Sequence, residues 1–181
     1  MRVLLFAATT IGMGAAATTS SLAQAVDSQS QQCLRVQNSF DLTVHASYVA
    51  TAPLFGPDGE RKWAGEHWDP QFVYPLPARD EEGAVFTIQH GPVNAIWVNT
   101  AFDVQGKHFQ YVYFIAGIMV TTIDVHFKPV DASNTLVHVV YTRTSLTPDG
   151  NAHVTAMGDR DRHSGAEWQQ AIDRYLAAAR R

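Results

Sequence analysis

Between Gln71 and Leu146 the sequence alternates strand-like stretches with turn signals every few residues, and this spacing limits what the chain can fold into. Strand patterns run from Gln71 to Leu76, Ala84 to His90, Ala95 to Phe102, Phe109 to Ala116, Met119 to Val130 and Thr135 to Leu146. The breaks between them are short: Asp80-Glu81-Glu82-Gly83, Gly91-Pro92, Asp103 to Lys107 and Asp131 to Asn134, with Pro148-Asp149-Gly150 ending the series. Parallel pairing requires long crossovers, so strands this closely spaced form an antiparallel meander. An earlier strand begins near Leu34. Val36, Asn38, Phe40, Leu42, Val44 and Ala46 fall on one face, and Arg35, Gln37, Ser39, Asp41, Thr43 and His45 on the other.

The tail has a different period. Trp168, Ile172, Tyr175, Leu176 and Ala179 recur at helical spacing, and Ser164-Gly165-Ala166-Glu167 has the spacing of a capping box. An amphipathic helix is predicted over 165–180, its last turn carrying arginines that suit the helix dipole. Between the first strand and the meander, Ser47 is placed to cap a short helix from Tyr48 to Leu54. Phe55-Gly56-Pro57-Asp58-Gly59 breaks it, and Glu60 to Ala64 reads as a second helical turn. The expected fold class is α+β: a curved antiparallel sheet of about seven strands, two short helices after the first strand, and one long C-terminal helix. Wrapping the sheet around that helix buries both apolar faces.

The N-terminus reads as a targeting segment. Arg2 is followed by the apolar Val3 to Ala8, and Ala23-Gln24-Ala25 supplies the small-x-small pattern of a signal-peptidase site. Residues 1–25 are expected to be a signal peptide cut after Ala25. Residues 26–33 are then a polar, flexible lead-in, and 34–181 the folded domain. The apolar core of the signal is too short to span a bilayer, so a periplasmic or secreted protein with no stable membrane anchor is expected. Removing 1–25 takes Arg2 and no acidic residue, so the formal charge moves from −4 to −5. That sign gives no electrostatic footprint for nucleic acid. Cys33 is the one cysteine, so no internal disulfide forms and the core must supply the stability.

The run from Phe55 to Gly91 combines Trp63, Trp68, four prolines and an acidic turn. Within it, Gly59-Glu60-Arg61-Lys62-Trp63 is followed by His67-Trp68-Asp69-Pro70. Together with the strand start Gly83-Ala84-Val85-Phe86-Thr87, and Thr135 to Tyr141 leading to a helix with Trp168, this resembles the START-like superfamily. That superfamily, also called SRPBCC, contains the birch-pollen-allergen group, polyketide cyclases and lipid-transfer domains. The resemblance covers roughly Phe40 to Leu176. It implies a helix-grip fold with a cavity between sheet and helix, with the short helices across one mouth. It carries over no catalytic residue, because the superfamily shares no catalytic motif, and one scaffold there serves many functions. Within the run, Gly59 is read as a position requiring positive φ, and Pro70 and Pro75 as fixing the chain path.

Aromatic strand residues are the candidate ligand wall. Strand alternation puts Trp97 with Asn99, and Tyr111 with Tyr113, on common faces. Phe86, Tyr141, Trp63 and Trp68 complete the aromatic set, and His90, in phase with Ala84, Phe86 and Ile88, is the best polar candidate. Asp124, His126 and His138 are an imidazole–carboxylate set, but they share the phase of Thr122 and Lys128, the solvent face, so no metal site is expected. There is no nucleophile elbow, phosphate loop or dinucleotide fingerprint, and no cofactor is expected. Two functions follow. One is an exported carrier or binding protein for a small hydrophobic molecule such as a lipid, polyketide or aromatic compound. The other is a cyclase- or hydrolase-type enzyme using the same cavity, with His90 or His67 as the acid–base group.

Overall fold

The alternation of Arg35–Val44 forms the first strand, β1, with its even-numbered residues turned inward. A computed structural model describes residues 32–181 of the chain. The expected signal segment, its expected cleavage point and most of the expected lead-in lie outside the described residues. After β1 come a one-turn helix α1 (Tyr48–Thr51), a 3-10 turn (Ala52–Leu54) and a second one-turn helix α2 (Pro57–Glu60). Then follow β2 (Gln71–Tyr74), β3 (Val85–His90), β4 (Val93–Asp103), β5 (His108–Ile115), β6 (Met119–Pro129) and β7 (Thr135–Ser145). A 3-10 turn (Pro148–Gly150) leads into the long helix α3 (Asn151–Ala179).

The strands form one seven-stranded sheet in the order β1-β7-β6-β5-β4-β3-β2. Strands β2 to β7 are a meander, and β1 closes the series by pairing antiparallel with β7, Phe40 opposite Val139. With α3 and the short helices after β1, this is the helix-grip arrangement. The inner sheet face is largely apolar and includes Phe86, Phe109, Met119, Val125, Val137 and Val139, each at most 1 % exposed. No helix among the described residues is long and apolar enough to cross a membrane.

The long helix departs from its sequence reading. It starts at Asn151, fourteen residues before the 165 expected from periodicity. Ser164 is mid-helix and caps nothing; its hydroxyl donates back to the Arg160 carbonyl at 3.3 Å. The reason lies in what the helix buries: Val154, Gly158, Asp161, Gly165 and Ile172. The spacing is helical, but three of these five residues are glycine or aspartate, so the apolar signal is missing. The glycines bring α3 onto β1. A Cβ on Gly158 would lie 2.9 Å from Val36 Cγ1, and one on Gly165 would lie 3.0 Å from Phe40 Cδ2.

Asp161 has a partner in the sheet. Arg143 occupies the inner phase of β7 with Val137, Val139 and Tyr141. It donates to Asp161 through Nε at 2.7 Å and through Nη2 at 2.6 Å, a bidentate pair in which both side chains are almost wholly buried. Its remaining nitrogen donates to the Tyr113 hydroxyl at 2.5 Å and to Thr121 Oγ1 at 3.2 Å. Burial opposes the guanidinium charge, but the Asp161 hydrogen bonds and neighbouring groups outweigh it and raise the pKa.

The loop between β1 and β2 is tied by backbone carbonyls and one carboxylate. Trp63 Nε1 donates to the Leu54 carbonyl at 2.6 Å, and Trp68 Nε1 to the Pro57 carbonyl at 2.7 Å. Asp80 accepts from the amides of Asp58 (2.8 Å) and Gly59 (3.1 Å), capping α2 from outside. Ser47 forms no side-chain cap for α1. Gly59 is not in the left-handed region; it is glycine because a Cβ there would come within 1.8 Å of the Pro53 carbonyl oxygen. Cys33 is exposed.

Truncating one member of the buried pair leaves an uncompensated charge. Asp161→Ala should therefore cost about 3–5 kcal/mol in urea unfolding. The double replacement Arg143→Met/Asp161→Leu should recover a large part of that loss.

Candidate functional site

Two adjacent spaces occupy the region between sheet, short helices and α3. The inner one is a small chamber of about 30 Å³, lined by Glu60, Trp68, Trp97, Tyr111, Ile123, Val125, Tyr141 and Trp168. That volume holds about two water molecules. The outer one is a cleft of about 490 Å³ between the α2–β2 loop, the end of β3 and α3. Trp63, His67, Trp68, His90, Arg160 and Trp168 are among its walls. Glu60, Trp68 and Trp168 line both spaces, so the cleft and the chamber share these walls.

Aromatic packing fills most of the volume where an enclosed cavity was expected. Trp168 meets Trp63 edge-on at 5.3 Å, and Trp68 meets Trp97 edge-on at 5.3 Å. Trp97 stacks on Tyr113 at 4.0 Å, and the His90 ring lies nearly parallel to both. The Tyr111 hydroxyl donates to the Phe55 carbonyl and anchors the wall to the short-helix segment.

The residues singled out from sequence therefore separate into groups. Trp97, Tyr111 and Tyr141 line the chamber, Trp63, His67 and His90 line the cleft, and Trp68 lines both. Phe86, Asn99 and Tyr113 are buried but are not among the lining residues. Phe86 packs between Phe72 and Trp97. Asn99 pins the β2–β3 loop, donating through Nδ2 to the Glu81 carbonyl at 3.1 Å. Tyr113 supports Trp97 on one side and receives the Arg143 hydrogen bond on the other.

Wall residues that the sequence did not mark as site residues include Glu60, Arg160 and Trp168. Trp168 was read only as an anchor of the helix. Glu60 enters the sequence reading only as the start of the second helical turn, and nothing in its surroundings in sequence marks it as buried. Yet it is 7 % exposed, and its carboxyl pKa is raised well above the ordinary value by burial and by the nearby Asp80 charge. His90 shifts the other way: burial, then the charges of His153 and Arg143, lower its pKa. Beside these groups two buried nitrogens, His90 Nε2 and Trp97 Nε1, find no hydrogen-bond partner among the described residues. Buried polar atoms are nearly always paired, so unpaired ones beside a cleft are handles for a ligand or for water.

The comparisons place this geometry on a known scaffold. No family model and no curated protein matches the sequence. Solved structures do. Norcoclaurine synthase from Thalictrum flavum, in complex with dopamine and hydroxybenzaldehyde, matches with TM-score 0.53 and 7 % identity over 94 % of this chain and 98 % of that one. A protein from Rhizobium loti matches with TM-score 0.54 and 15 % identity over 81 % and 98 %. Ara h 8.0201 matches with TM-score 0.50 and 11 % identity over 80 % and 99 %. The shared fold is a helix-grip fold. At these identities the likeness is one of fold alone.

Glu60 and His90 leave opposite marks on stability. The native Glu60 carboxyl keeps its proton above its reference pKa of 4.5, so the native state binds more protons than the unfolded chain there. Its contribution is fully present below about pH 4.5 and is lost as pH rises through the raised native value. For His90, whose reference pKa is 6.5, the contribution is present above that value and lost as pH falls through the lowered native one. Urea unfolding across pH 4–9 should show Glu60→Gln losing less stability than the parent as pH rises, and His90→Gln losing less as pH falls below 6.5.

Proposed function

We propose that this is an exported binding protein for a small, partly aromatic hydrophobic molecule that seats in the cleft with one edge against the chamber. The observation that carries the proposal is the pair of unpartnered buried nitrogens, His90 Nε2 and Trp97 Nε1, beside a largely aromatic opening. A cleft of about 490 Å³ falls within the usual range for small-molecule sites. Trp63, Trp68 and Trp168 supply the apolar wall, while Glu60, His67, His90 and Arg160 supply polar handles. A second hollow of about 390 Å³, lined by residues including Tyr48, Val49, Phe102 and Val104, has only Asp80 and Tyr48 as ionisable lining groups and so offers less basis for orientation. Support for export is the signal-like N-terminus with Ala23-Gln24-Ala25.

A second reading rests on a specific observation. Glu60, which keeps its proton, and His90, which gives its proton up early, line one cleft. A carboxyl that holds on to its proton and an imidazole held neutral put a proton donor and a proton acceptor on one cleft, the pairing general acid–base catalysis requires. The solved neighbour norcoclaurine synthase is named as an enzyme, which keeps the cyclase-type alternative in play.

Tryptophan fluorescence titration with fatty acids, sterols and polyphenols tests the binding reading, together with native mass spectrometry of protein purified from its own host. A ligand should bind with Kd raised at least about tenfold, or about 1.4 kcal/mol, by Trp68→Ala and by His90→Ala. No co-purifying ligand and no uptake from the panel would refute it. If turnover is found, Glu60→Gln and His90→Ala should abolish it while ligand still binds. Protein recovered from the extracytoplasmic fraction should begin at Val26.

A further inference from the structure

The outer face of the sheet carries an arrangement unrelated to the cleft. Asp103 on β4, His108 on β5, His126 on β6, His138 on β7 and Asp41 on β1 are successive register partners, a row crossing five strands. At the two ends of the histidine series the chemistry differs. His138 is engaged by Asp41, with Nδ1 at 2.7 Å from Oδ1. His108 and His126 instead converge with Asp124, one ligand atom from each lying within 4.8 Å of the others. His108 Nε2 is 3.1 Å from Asp124 Oδ1, and the His108 and His126 rings stack at 4.5 Å.

The carboxylate is also held from behind. Thr100 Oγ1 donates to Gln110 Oε1 at 2.8 Å, which orients the amide so that Gln110 Nε2 donates to Asp124 Oδ1, also at 2.8 Å. Thr100, Gln110 and Asp124 stand on three neighbouring strands, β4, β5 and β6. A simple cross-strand salt bridge requires no such relay. Support of a ligating carboxylate by an outer hydrogen bond is characteristic of metal sites.

We propose that His108, Asp124 and His126 form a site for a divalent transition-metal ion on the outer face of the sheet, with Gln110 as a positioning residue. Two imidazole nitrogens and one carboxylate oxygen suit Zn²⁺, Cu²⁺ or Ni²⁺ and disfavour Mg²⁺ and Ca²⁺, which take oxygen-rich shells. Three protein ligands leave a position for water or an exogenous ligand. His108 and Asp124 already sit at the spacing of two ligands on one ion. The exposed His126 ring needs only side-chain rotation to join them, because β5 and β6 fix all three Cα positions by ladder pairing. Sequence reading considered Asp124 and His126 together with His138 and set that group aside as solvent-facing. The three do lie on the wet face, but His108, not His138, completes the cluster.

Isothermal titration of the tag-free full chain with ZnCl₂ and NiCl₂, with MgCl₂ and CaCl₂ as controls, tests this. One Zn²⁺ per chain should bind, with no comparable heat from Mg²⁺ or Ca²⁺. His108→Ala, His126→Ala and Asp124→Asn should each weaken binding by at least about tenfold, and Gln110→Ala by about tenfold. His138→Ala and His153→Ala should leave the affinity unchanged. These side chains lie outside the core, and circular dichroism verifies that each variant is folded. Absence of Zn²⁺ binding would overturn the proposal, as would a loss shared equally by His138→Ala. A loss confined to His90→Ala would place the metal in the cleft and equally overturn it.

Discussion

The bidentate pair between Arg143 and Asp161 is the contact on which the rest of the arrangement depends. It joins the inner face of β7 to the first half of α3, where the helix has little apolar surface of its own to bury. Two buried charges are costly unless every donor is satisfied. Here Tyr113 and Thr121 take the remaining guanidinium nitrogen, and the Arg143 guanidinium lies 4.7 Å from the centre of the Tyr141 ring. With Gly158 and Gly165 on either side of Asp161 against β1, the pair sets both the depth and the rotation of the helix. Trp168 is thereby delivered to the walls of chamber and cleft.

From that placement the site follows. The aromatic groups that a curved sheet turns inward would leave a large void if α3 stood further away. Drawn close, the helix lets Trp168 meet Trp63 and Phe40 and reduces the enclosed volume to a chamber of about 30 Å³. The usable space moves outward to the mouth, where the tied loop between α2 and β2 faces the end of β3. The polar groups gather at that boundary, where a buried carboxyl and a half-buried imidazole still meet an opening.

Much of the architecture was legible in the strands. Turn residues and period-two alternation located the strands to within a few residues, because each strand buries one face and exposes the other. The same alternation put Trp97 with Asn99, and Tyr111 with Tyr113, on common faces, and those faces are the buried ones. The helix was legible only from 165 onward, because its first half buries glycines and an aspartate, which hydropathy scores as exposed. Arg143 carried a readable signal, since it shares the inner phase of Val139 and Tyr141, but a charged residue in that phase has meaning only once its partner is known. Glu60 gave no signal, as its burial comes from packing between segments distant in sequence.

Local chemistry in the sequence determined the antiparallel meander, the two short helices and the inward face of each strand, since alternation and turn residues act over a few positions. The tertiary structure alone decided which inward residues line a space and which fill it. It also decided that Glu60 and His90 share a cleft, and that His108 rather than His138 stands beside Asp124 and His126. The physical reason is common to all three: each depends on strand register and helix depth, which are set by contacts between residues far apart in the chain.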